Sequence, residues 1–434
     1  MRHRAIPCML ATAMALSLVA ACGSAGSRPG SDTRGSARQS ALAAPARRAY
    51  DPPAAFDGTR GIALPSAALG KVTITGNVRR PIPVALDSTT AYVAATDSLQ
   101  AVDLTTGKVT GTLGPRNPAA RPSSTLYDGN PADAPLIATV DGKTDAVAAF
   151  LEKVPGQGTT AGHLSVELAA MDTGTRQAAW SLLLDVPDGA LDPYSTSPSA
   201  TLLGVHGGTA VVEITDGSHG TAVAVDLRTQ KPLWQKEAFL PMALTGSQVV
   251  GVALKDASGI EQNVSALDIA DGHQVWSLPK DTYGTTIDAA GPTMIMVSAR
   301  DYESGASSAQ LLDAATGHSA LDLGGGLAGS RCWYDDRSVI VCATDSATVA
   351  VNATDGHPLW SLPDDTHHRV APKVSAAWHG QVYGTTENGP VILDARTGAD
   401  RPGSPTIAPL LVNGYVGLAL GDKQFELLAY PTTG

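Results

Sequence analysis

Charged and aromatic residues are scarce in this 434-residue chain. Only 16% of its residues are charged and 5% are aromatic, whereas soluble domains usually carry about 25% charged residues. This composition, together with an apolar fraction of 43% and 45 glycines, argues against wholesale disorder and against a coiled coil. The net charge of −11 argues against a nucleic-acid-binding protein, because phosphates must be neutralised by cations.

Motifs of nucleophilic and phosphate chemistry are also missing. The sequence has no Gly-x-Ser-x-Gly elbow and no glycine-rich loop that ends in Gly-Lys-Ser or Gly-Lys-Thr. Three histidines, His273, His318 and His357, each follow a glycine in a turn-like pattern, which predicts exposed turn positions.

One further group of histidines and aspartates invites a metal interpretation. Its members are Asp364, Asp365, His367, His368 and His379. Zinc usually takes three or four preorganised ligands, and this spacing does not supply them as a recognisable motif. We therefore interpret the group as part of a loop, and we predict no metal site.

The first residues have the features of an export signal. Two arginines precede an apolar stretch, residues 5–19, that is too short to span a membrane as a stable helix. The sequence Val-Ala-Ala directly before Cys22 resembles the lipobox of bacterial lipoproteins. The resemblance implies a signal peptide over residues 1–21, cleavage before Cys22, and lipid attachment to that cysteine. The protein would then be anchored to the cell membrane on its extracytoplasmic face.

Residues 22–70 are predicted to form a disordered tether. They are rich in Gly, Ser, Ala and Pro and have no apolar periodicity, so they offer too little apolar surface to fold. The tether also contains several arginines. Contact with anionic head groups and simple solvation are equally good interpretations of these arginines. The folded domain is predicted over residues 71–434.

Cys332 and Cys342 are the cysteines that remain in the folded domain. They flank a strand–turn–strand pattern centred near Arg337, which places them opposite each other in a hairpin. An exported protein meets an oxidising compartment, and we predict a cross-strand disulfide. A catalytic dithiol is disfavoured, because a redox pair usually has only two residues between its cysteines.

A repeat runs through the rest of the chain. Each copy has alternating apolar residues that end in a marker residue, usually aspartate. The eight markers are Asp103, Asp172, Asp226, Asp268, Asp313, Asn352, Asp394 and Tyr430. Glycine follows the marker by four positions in six of the eight copies. Tryptophan follows it by eight positions in four copies, at Trp180, Trp234, Trp276 and Trp360, which we interpret as core anchors.

The repeat predicts an all-β fold. The marker and the glycine are typical of a hairpin turn, in which Asp and Thr side chains bond the backbone and glycine takes a positive φ. Two more apolar stretches precede each marker, so each copy of about 42 residues supplies four strands, as in a propeller blade. Eight markers predict eight blades. The last copy lacks its final strand, and Lys71–Gly76 resembles that strand in the first copy, so we expect it to complete the last blade.

These repeats resemble the PQQ-like, or quinoprotein alcohol dehydrogenase-like, β-propeller family, whose units read Ala-Leu-Asp-x-x-Thr-Gly-x-x-x-Trp. The resemblance covers residues 71–434 and implies an eight-bladed propeller of four-stranded antiparallel blades. Members of the family include quinone-dependent dehydrogenases, lyase-type enzymes and an outer-membrane assembly lipoprotein. The fold alone therefore does not select a function.

Our functional prediction is a non-catalytic binding or scaffold module for an extracytoplasmic protein partner, without catalytic residues or cofactors. The vicinal cysteines that often lie over the quinone in the dehydrogenases are absent, and no residue can be matched to their calcium ligands. Two alternatives remain open. One is a PQQ-dependent or lyase-like enzyme, and the other is a protein that binds a sugar or a cell-wall fragment.

Overall fold

The computed structural model describes residues 48–69, 82–120, 132–192, 195, 198–256, 258–403, 405–421 and 426–434. In these ranges the chain consists of antiparallel β-strands that follow one another along the sequence, so the predicted all-β propeller fold is confirmed. The signal peptide, Cys22 and the strand predicted over Lys71–Gly76 lie outside the described residues.

The strands divide into eight units, which we number as blades 1 to 8. The first strand of the chain is β1 (Ile62–Ala63). Blade 1 contains β2 (Val84–Asp87), β3 (Thr90–Ala94), β4 (Leu99–Asp103) and β5 (Lys108–Leu113). Blade 2 contains β6 (Leu136–Val140), β7 (Lys143–Val154), β8 (His163–Asp172) and β9 (Ala178–Asp185). Blade 3 contains β10 (Ser199–His206), β11 (Thr209–Thr215), β12 (Gly220–Asp226) and β13 (Lys231–Glu237). Blade 4 contains β14 (Phe239–Thr245), β15 (Gln248–Leu254), β16 (Gln262–Asp268) and β17 (Gln274–Ser277).

The second half of the chain continues in the same way. Blade 5 contains β18 (Thr282–Ala289), β19 (Met294–Asp301), β20 (Ser307–Asp313) and β21 (Ser319–Asp322). Blade 6 contains β22 (Arg331–Tyr334), β23 (Val339–Ala343), β24 (Thr348–Asn352) and β25 (Pro358–Leu362). Blade 7 contains β26 (Lys373–Trp378), β27 (Gln381–Thr386) and β28 (Gly389–Asp394). Blade 8 contains β29 (Leu411–Val412), β30 (Val416–Leu420) and β31 (Leu427–Pro431). Three short 3-10 helices occupy Ser66–Leu69, Gly325–Leu327 and Asp365–His367.

Blades 4, 5 and 7 depart from the pattern of separate four-stranded sheets. Blades 4 and 5 are joined into one eight-stranded sheet by the single pair between Gln262 and Thr282. In blade 7 the fourth strand is reduced to an isolated bridge between Leu393 and Asp400. None of the helices in the described ranges has the length and hydropathy of a membrane span.

The predicted markers lie where the third strand of a blade turns into the fourth. In blade 2, Asp172 ends β8 and its Oδ1 accepts the backbone N–H of Thr175 at 2.6 Å and the Thr175 hydroxyl at 2.8 Å. These hydrogen bonds from Thr175 hold the pKa of Asp172 below its usual value. In blade 1 the turn glycine, Gly107, has φ +72°, a conformation that glycine adopts without steric cost. The predicted turn chemistry is confirmed.

Three of the repeat tryptophans join neighbouring blades. The indole N–H of each donates to the backbone carbonyl one residue after the marker of the next blade, at 2.8 Å in all three cases. The pairs are Trp234 with Ile269, Trp276 with Ala314, and Trp360 with Ala395. The same rings cover the turn glycines Gly272, Gly317 and Gly398. The tryptophans are therefore anchors of the seams between blades.

The other seams in the first half of the chain are built differently. Trp180 of blade 2 donates within its own blade, to Asp145 Oδ2 at 2.9 Å, and the next blade has Gln230 at the position where six of the eight copies have glycine. Between blades 1 and 2, the small residue stands at the tryptophan position and the large residue at the glycine position. Gly111 stands at the tryptophan position, and its backbone lies against the backbone of Arg176, which stands at the glycine position.

The propeller closes through the N-terminal strand. β1 pairs antiparallel with β31, with Ile62 opposite Ala429 and Ala63 opposite Leu428. An N-terminal strand therefore completes the last blade, as predicted, but the strand is Ile62–Ala63 and not Lys71–Gly76. Ile62 also contacts Gly107 of blade 1, where a Cβ would lie 3.0 Å from its Cγ2. Ile62 thus replaces the tryptophan at the closing seam.

Residues 48–61, which we call the N-terminal strap, correct the prediction of a disordered tether that reaches residue 70. Phe56 is only 3% exposed and packs in the cluster that contains Tyr383 and Tyr430. The N–H of Tyr50 donates to Gly414 O at 2.8 Å. The composition of the segment resembles a linker, but one buried aromatic ring and backbone hydrogen bonds to the C-terminal blades are sufficient to fix it.

Candidate functional site

The two ends of the propeller differ in their connections. Consecutive antiparallel strands alternate in direction, so the connections between strands 1 and 2 and between strands 3 and 4 of each blade lie at one end. We call this the turn end. The connections between strands 2 and 3, and those from one blade to the next, lie at the other end, which we call the loop end.

The described connections of the loop end carry more acidic than basic side chains. They contain the acidic residues Asp97, Asp133, Asp188, Asp192, Asp216, Asp256, Glu261, Asp281, Glu303, Asp345, Asp364, Asp365, Glu387 and Glu426. The lysines and arginines described in the same connections are Arg116, Lys255, Lys280, Arg369 and Arg401. Within the described residues, the loops of this end therefore offer clusters of carboxylates to a basic partner.

The turn end also carries many carboxylates. Its turns contain the acidic residues Asp141, Asp271, Asp335, Asp336 and Asp355 and the basic residues Arg176, Arg228, Arg337 and Arg396, and the marker residues Asp103, Asp172, Asp226, Asp268, Asp313 and Asp394 end strands at this end. The strap adds Arg48, Asp51, Asp57 and Arg60 to this end, where it contacts the turns of blades 6, 7 and 8. The two ends therefore differ mainly in where their carboxylates lie: in the connecting loops at the loop end, and at the ends of strands at the turn end. This distribution was not found in the sequence analysis, because it appears only when the connections are sorted by strand direction.

Several loop-end carboxylates are held ionised by their own loops. Hydrogen bonds from the backbone N–H and hydroxyl of Ser304, with a further contribution from Lys280, lower the pKa of Asp301 to about 2. The hydroxyl of Thr366 and the ring of His367 lower the pKa of Asp364 to about 2. The negative charge of this end is therefore retained throughout the neutral pH range.

Two buried glutamates in blade 2 fix the chain that arrives from blade 1. Glu152 is fully buried, and its carboxylate accepts the backbone N–H of Asn117 at 3.0 Å and the Asn117 side-chain amide at 2.8 Å. Glu167 is 1% exposed, and it accepts the backbone N–H of Arg116 at 2.7 Å and pairs with Arg116 Nε at 3.1 Å. Because both carboxylates are occupied by these contacts, they act as anchors and not as an acid–base pair.

An open cleft of about 520 Å³ lies beside the strap at the turn end. Its lining includes Arg48, Tyr50, Arg60 and Tyr415. Arg60 pairs with Asp57 at 3.3 Å, and the guanidinium of Arg48 lies 5.3 Å from the centre of the Tyr50 ring. The cleft is therefore partly filled by interactions within the strap.

A second open cleft, of about 420 Å³, lies between the first strands of blades 2 and 3. Its walls are β6, the end of β10 and the Gly207-Gly208 turn that follows it, with Asp141 and Arg228 at the turn end. Neither cleft brings together the carboxylates and nucleophiles that a hydrolytic or redox site would require.

The histidines singled out in the sequence do not form one site. His367 belongs to the 3-10 helix at the loop end, whereas His379 lies in the turn between β26 and β27 at the opposite end. His379 contacts Asp51 of the strap through Nδ1, and Arg337 pairs with the same carboxylate at 3.4 Å. Within the described residues, no group of three His, Cys, Asp or Glu side chains has the geometry to hold a metal ion. His273, His318 and His357 are exposed in turns, as predicted.

Cys332 and Cys342 are joined by a disulfide in blade 6. They are directly opposite in the pairing of β22 with β23, and their Cα atoms are 4.0 Å apart. The neighbouring residue Arg331 lies over the ring of Trp333 at 5.5 Å. The bond therefore links the first two strands of the blade and is part of the scaffold. Cys22, the predicted lipid-attachment residue, lies outside the described residues.

The model of one protein family matches part of this chain. The family is described as the outer membrane protein assembly factor BamB, and the match covers residues 261–409, about a third of the sequence. These residues contain the most regular copies of the repeat. No curated protein matches the sequence.

Solved propeller structures are similar over most of the chain but at low identity. BamB from Moraxella catarrhalis is 16% identical, covers 80% of this chain and 95% of its own, and has a TM-score of 0.44. A europium-containing methanol dehydrogenase is 13% identical, with coverages of 81% and 82% and a TM-score of 0.41. The Dos1 propeller is 14% identical, with coverages of 79% and 76% and a TM-score of 0.42. At these values the assignment of the fold depends on the strand order and the repeat described above.

Proposed function

We propose that this protein is a non-catalytic binding module that holds an extracytoplasmic protein partner on the loop end of its propeller. The observation that carries the proposal is the set of exposed carboxylates in the described connections of the loop end, which extends over several blades. Long-range charge of one sign attracts a complementary partner and orients it before contact. The matched family is named for an assembly factor, which supports a role in bringing other proteins together.

We propose further that lipid on Cys22 anchors the module to the cell membrane. The strap contacts Gly414, Arg337 and His379, all of which lie in turns at the turn end. A lipid on Cys22 would therefore reach the propeller through the chain that leads into the strap, and it would hold the module near the membrane.

Charge reversal tests the binding surface. Glu303, Asp345 and Glu387 are exposed at the loop ends of blades 5, 6 and 7, and the variant changes all three to lysine. We expect it to lose at least nine-tenths of the partner captured by crosslinking in the native envelope. The matched control changes Asp141, Asp271 and Asp355 of the turn end to lysine, which alters the net charge equally. We expect the control to retain the partner.

Two results would refute the binding surface. One is equal loss of partner in the two triple variants, and the other is retention of partner in the loop-end variant. Equal melting temperatures of the two purified variants show that folding is not the cause of any difference between them.

A titration with PQQ and Ca²⁺ separates this proposal from a quinone-dependent enzyme. We expect no saturable change in tryptophan fluorescence or quinone absorbance at micromolar concentrations. Saturable binding would instead favour the dehydrogenase and would make a screen of alcohol and sugar substrates the next experiment.

A further inference from the structure

The outer edge strand of blade 2 is the longest outer strand among the described residues, and its own sequence contains no lysine, proline or glycine. In most blades the fourth strand is shortened or interrupted. β17 and β21 have four residues each, β25 has five and begins with Pro358, blade 7 has only a bridge, and blade 8 uses the two-residue β1. Short edges and prolines prevent the addition of another strand.

The two longer outer strands outside blade 2 carry other safeguards. β13 contains Lys231, Pro232 and Lys236. β5 begins with Lys108 and is interrupted by Gly111. Lysine and proline on an edge oppose pairing with another chain, and glycine weakens a strand.

β9 has none of these safeguards. It extends over eight residues, Ala178–Asp185, with the sequence Ala-Ala-Trp-Ser-Leu-Leu-Leu-Asp. It contains no proline, glycine, lysine or arginine, and β8 is its neighbour in the sheet. Leu183 leaves 38% of its surface exposed on this edge.

Near the loop end, the backbone of β9 presents hydrogen-bonding groups outward. The carbonyl of Ser181 is turned away from β8 and is occupied by Arg116 Nη2 at 3.3 Å, so the part of the edge that is open to another strand begins after Ser181. Alternate residues of an antiparallel strand direct their backbone groups the same way, so the N–H and C=O groups of Leu183 and Asp185 also point outward. These backbone groups can therefore form hydrogen bonds with a strand that is added beside β9.

The base of the blade is built to be rigid. The carboxylates of Glu152 and Glu167 fix the incoming chain against β7 and β8 through Asn117 and Arg116. A rigid edge loses little conformational entropy when a second strand pairs with it.

We infer that the edge of β9 binds an extended segment of the protein partner by strand addition, and that this segment carries apolar side chains followed by basic ones. The inference rests on the proposed function and names where and how the partner is held. Apolar side chains of the segment would contact Leu183. Basic side chains would lie near Asp185, whose side chain is 89% exposed, and near Asp188 at the start of the next connection.

The net charge of the chain favours a partner segment with a basic end over a second copy of the chain as the strand bound to β9. Each copy has a net charge of −11, so two copies repel each other. A segment with a basic end is instead attracted by the acidic loop end, toward which β9 runs.

The test uses the full-length protein and a labelled probe peptide, acetyl-Thr-Val-Thr-Val-Thr-Val-Lys-Lys-amide. Hydrogen exchange should show new protection of the amides in residues 178–185 when the peptide is added, and no protection in the matched edge, residues 231–237. The variant Leu183→Lys introduces a lysine on β9, as β13 already has on its edge, and an edge lysine opposes pairing with another strand. We expect it to weaken peptide binding at least tenfold, measured by fluorescence anisotropy.

Leu233→Lys is the matched control, because Leu233 is 46% exposed on the guarded strand β13. We expect it to leave the affinity for the peptide unchanged. No protection of residues 178–185, or equal weakening by the two variants, would overturn the inference. A photoreactive residue at position 183 that crosslinks two copies of this chain would also overturn it.

These results are distinguishable from failure of the proposed function. If loop-end charge reversal abolishes partner capture while residues 178–185 remain unprotected by the probe, the binding module stands and strand addition at β9 is wrong. If neither the loop-end variant nor Leu183→Lys changes partner capture, both proposals are wrong.

Discussion

The indole ring of Trp360 in blade 6 lies directly on Gly398 in the turn of blade 7. A Cβ at Gly398 would approach the ring to 2.7 Å, and the indole N–H donates to Ala395 O in the same turn. The tryptophan in the fourth strand of one blade therefore packs against the turn of the next blade. The same fit joins Trp234 to Gly272 and Trp276 to Gly317.

This contact predicts that Gly398→Ala lowers the free energy of unfolding by about 3 kcal/mol. The added methyl group must displace the indole ring, and alanine is strained at φ +69°. Gly142→Ala is the matched control, because Gly142 has φ +77° but no neighbouring atom within 4 Å of the added Cβ. We expect the control to cost about 1 kcal/mol, from backbone strain alone. Equal losses in chemical denaturation would show that the indole contact is unimportant.

The strap predicts that Phe56→Ala destabilises the protein by about 3–5 kcal/mol, the usual cost of removing a fully buried aromatic ring. Deletion of residues 23–47 provides the comparison, since these residues belong to the predicted tether. We expect the deletion to leave the melting temperature unchanged. If Phe56→Ala melts at the same temperature as the natural protein, the strap does not contribute to closure of the propeller.

Tyr383 predicts a loss of stability at alkaline pH. Its buried hydroxyl lies 2.8 Å from both Pro53 O and Gln381 Oε1 and shares its one proton between them, and burial, with a smaller effect of Asp51, raises its pKa well above the usual 10.0. Above pH 10 the unfolded chain ionises while the folded protein resists ionisation. The stability is therefore complete below pH 10 and decreases as the pH rises further.

Tyr383→Phe tests this dependence. At pH 7 we expect the variant to be less stable by about 1–3 kcal/mol, because Pro53 O and Gln381 lose their donor. Above pH 10 the difference should narrow, because the variant has no hydroxyl to ionise at this position. The exposed Tyr302 supplies the control, and Tyr302→Phe should show no such narrowing. A constant difference between Tyr383→Phe and the natural protein from pH 7 to pH 11 would contradict the prediction.

Lipid anchoring predicts that Cys22→Ala moves the protein from the membrane fraction to the soluble extracytoplasmic fraction. The substitution removes the thiol that the proposed acylation requires. Fractionation of cells followed by detection of the protein measures the change. Cys332→Ser serves as the comparison, because it removes a scaffold cysteine, and we expect it to remain in the membrane fraction. Retention of Cys22→Ala in membranes would refute the anchor.

The sequence predicted the repeating part of the fold well, for a physical reason. A hairpin turn such as Asp172 to Thr175 depends on residues close together in the chain, so its chemistry can be recognised from spacing alone. The same holds for the pairing of Cys332 with Cys342, which are ten residues apart. The tryptophans stand at the same position of the repeat, eight residues after the marker, and this indicated a structural role. The partners of these tryptophans were identified only in the structure, because they belong to the next blade.

The closing strand was misplaced for the opposite reason. Lys71–Gly76 resembles an outer strand by pattern, whereas β1 has only two residues and no pattern to recognise. Its position is fixed by pairing with β31, about 365 residues away in the sequence. The strap was missed in the same way, since the burial of Phe56 depends on contacts with the distant residues Tyr383 and Tyr430. The distribution of carboxylates over the two ends likewise depends on the strand directions.

The strap and β1 also determine how the molecule responds to mechanical load. A force applied to the chain before Arg48 reaches the propeller first through the bond from Tyr50 to Gly414, and then through the contacts of Asp51 with His379 and Arg337. The backbone bonds of Ala54 and Ala55 to Gly434 come next, and the pairing of β1 with β31 bears the load only after these contacts yield. A pull on the N-terminal side of the strap would therefore strain the turns of blades 6, 7 and 8 before it reaches the closing strand.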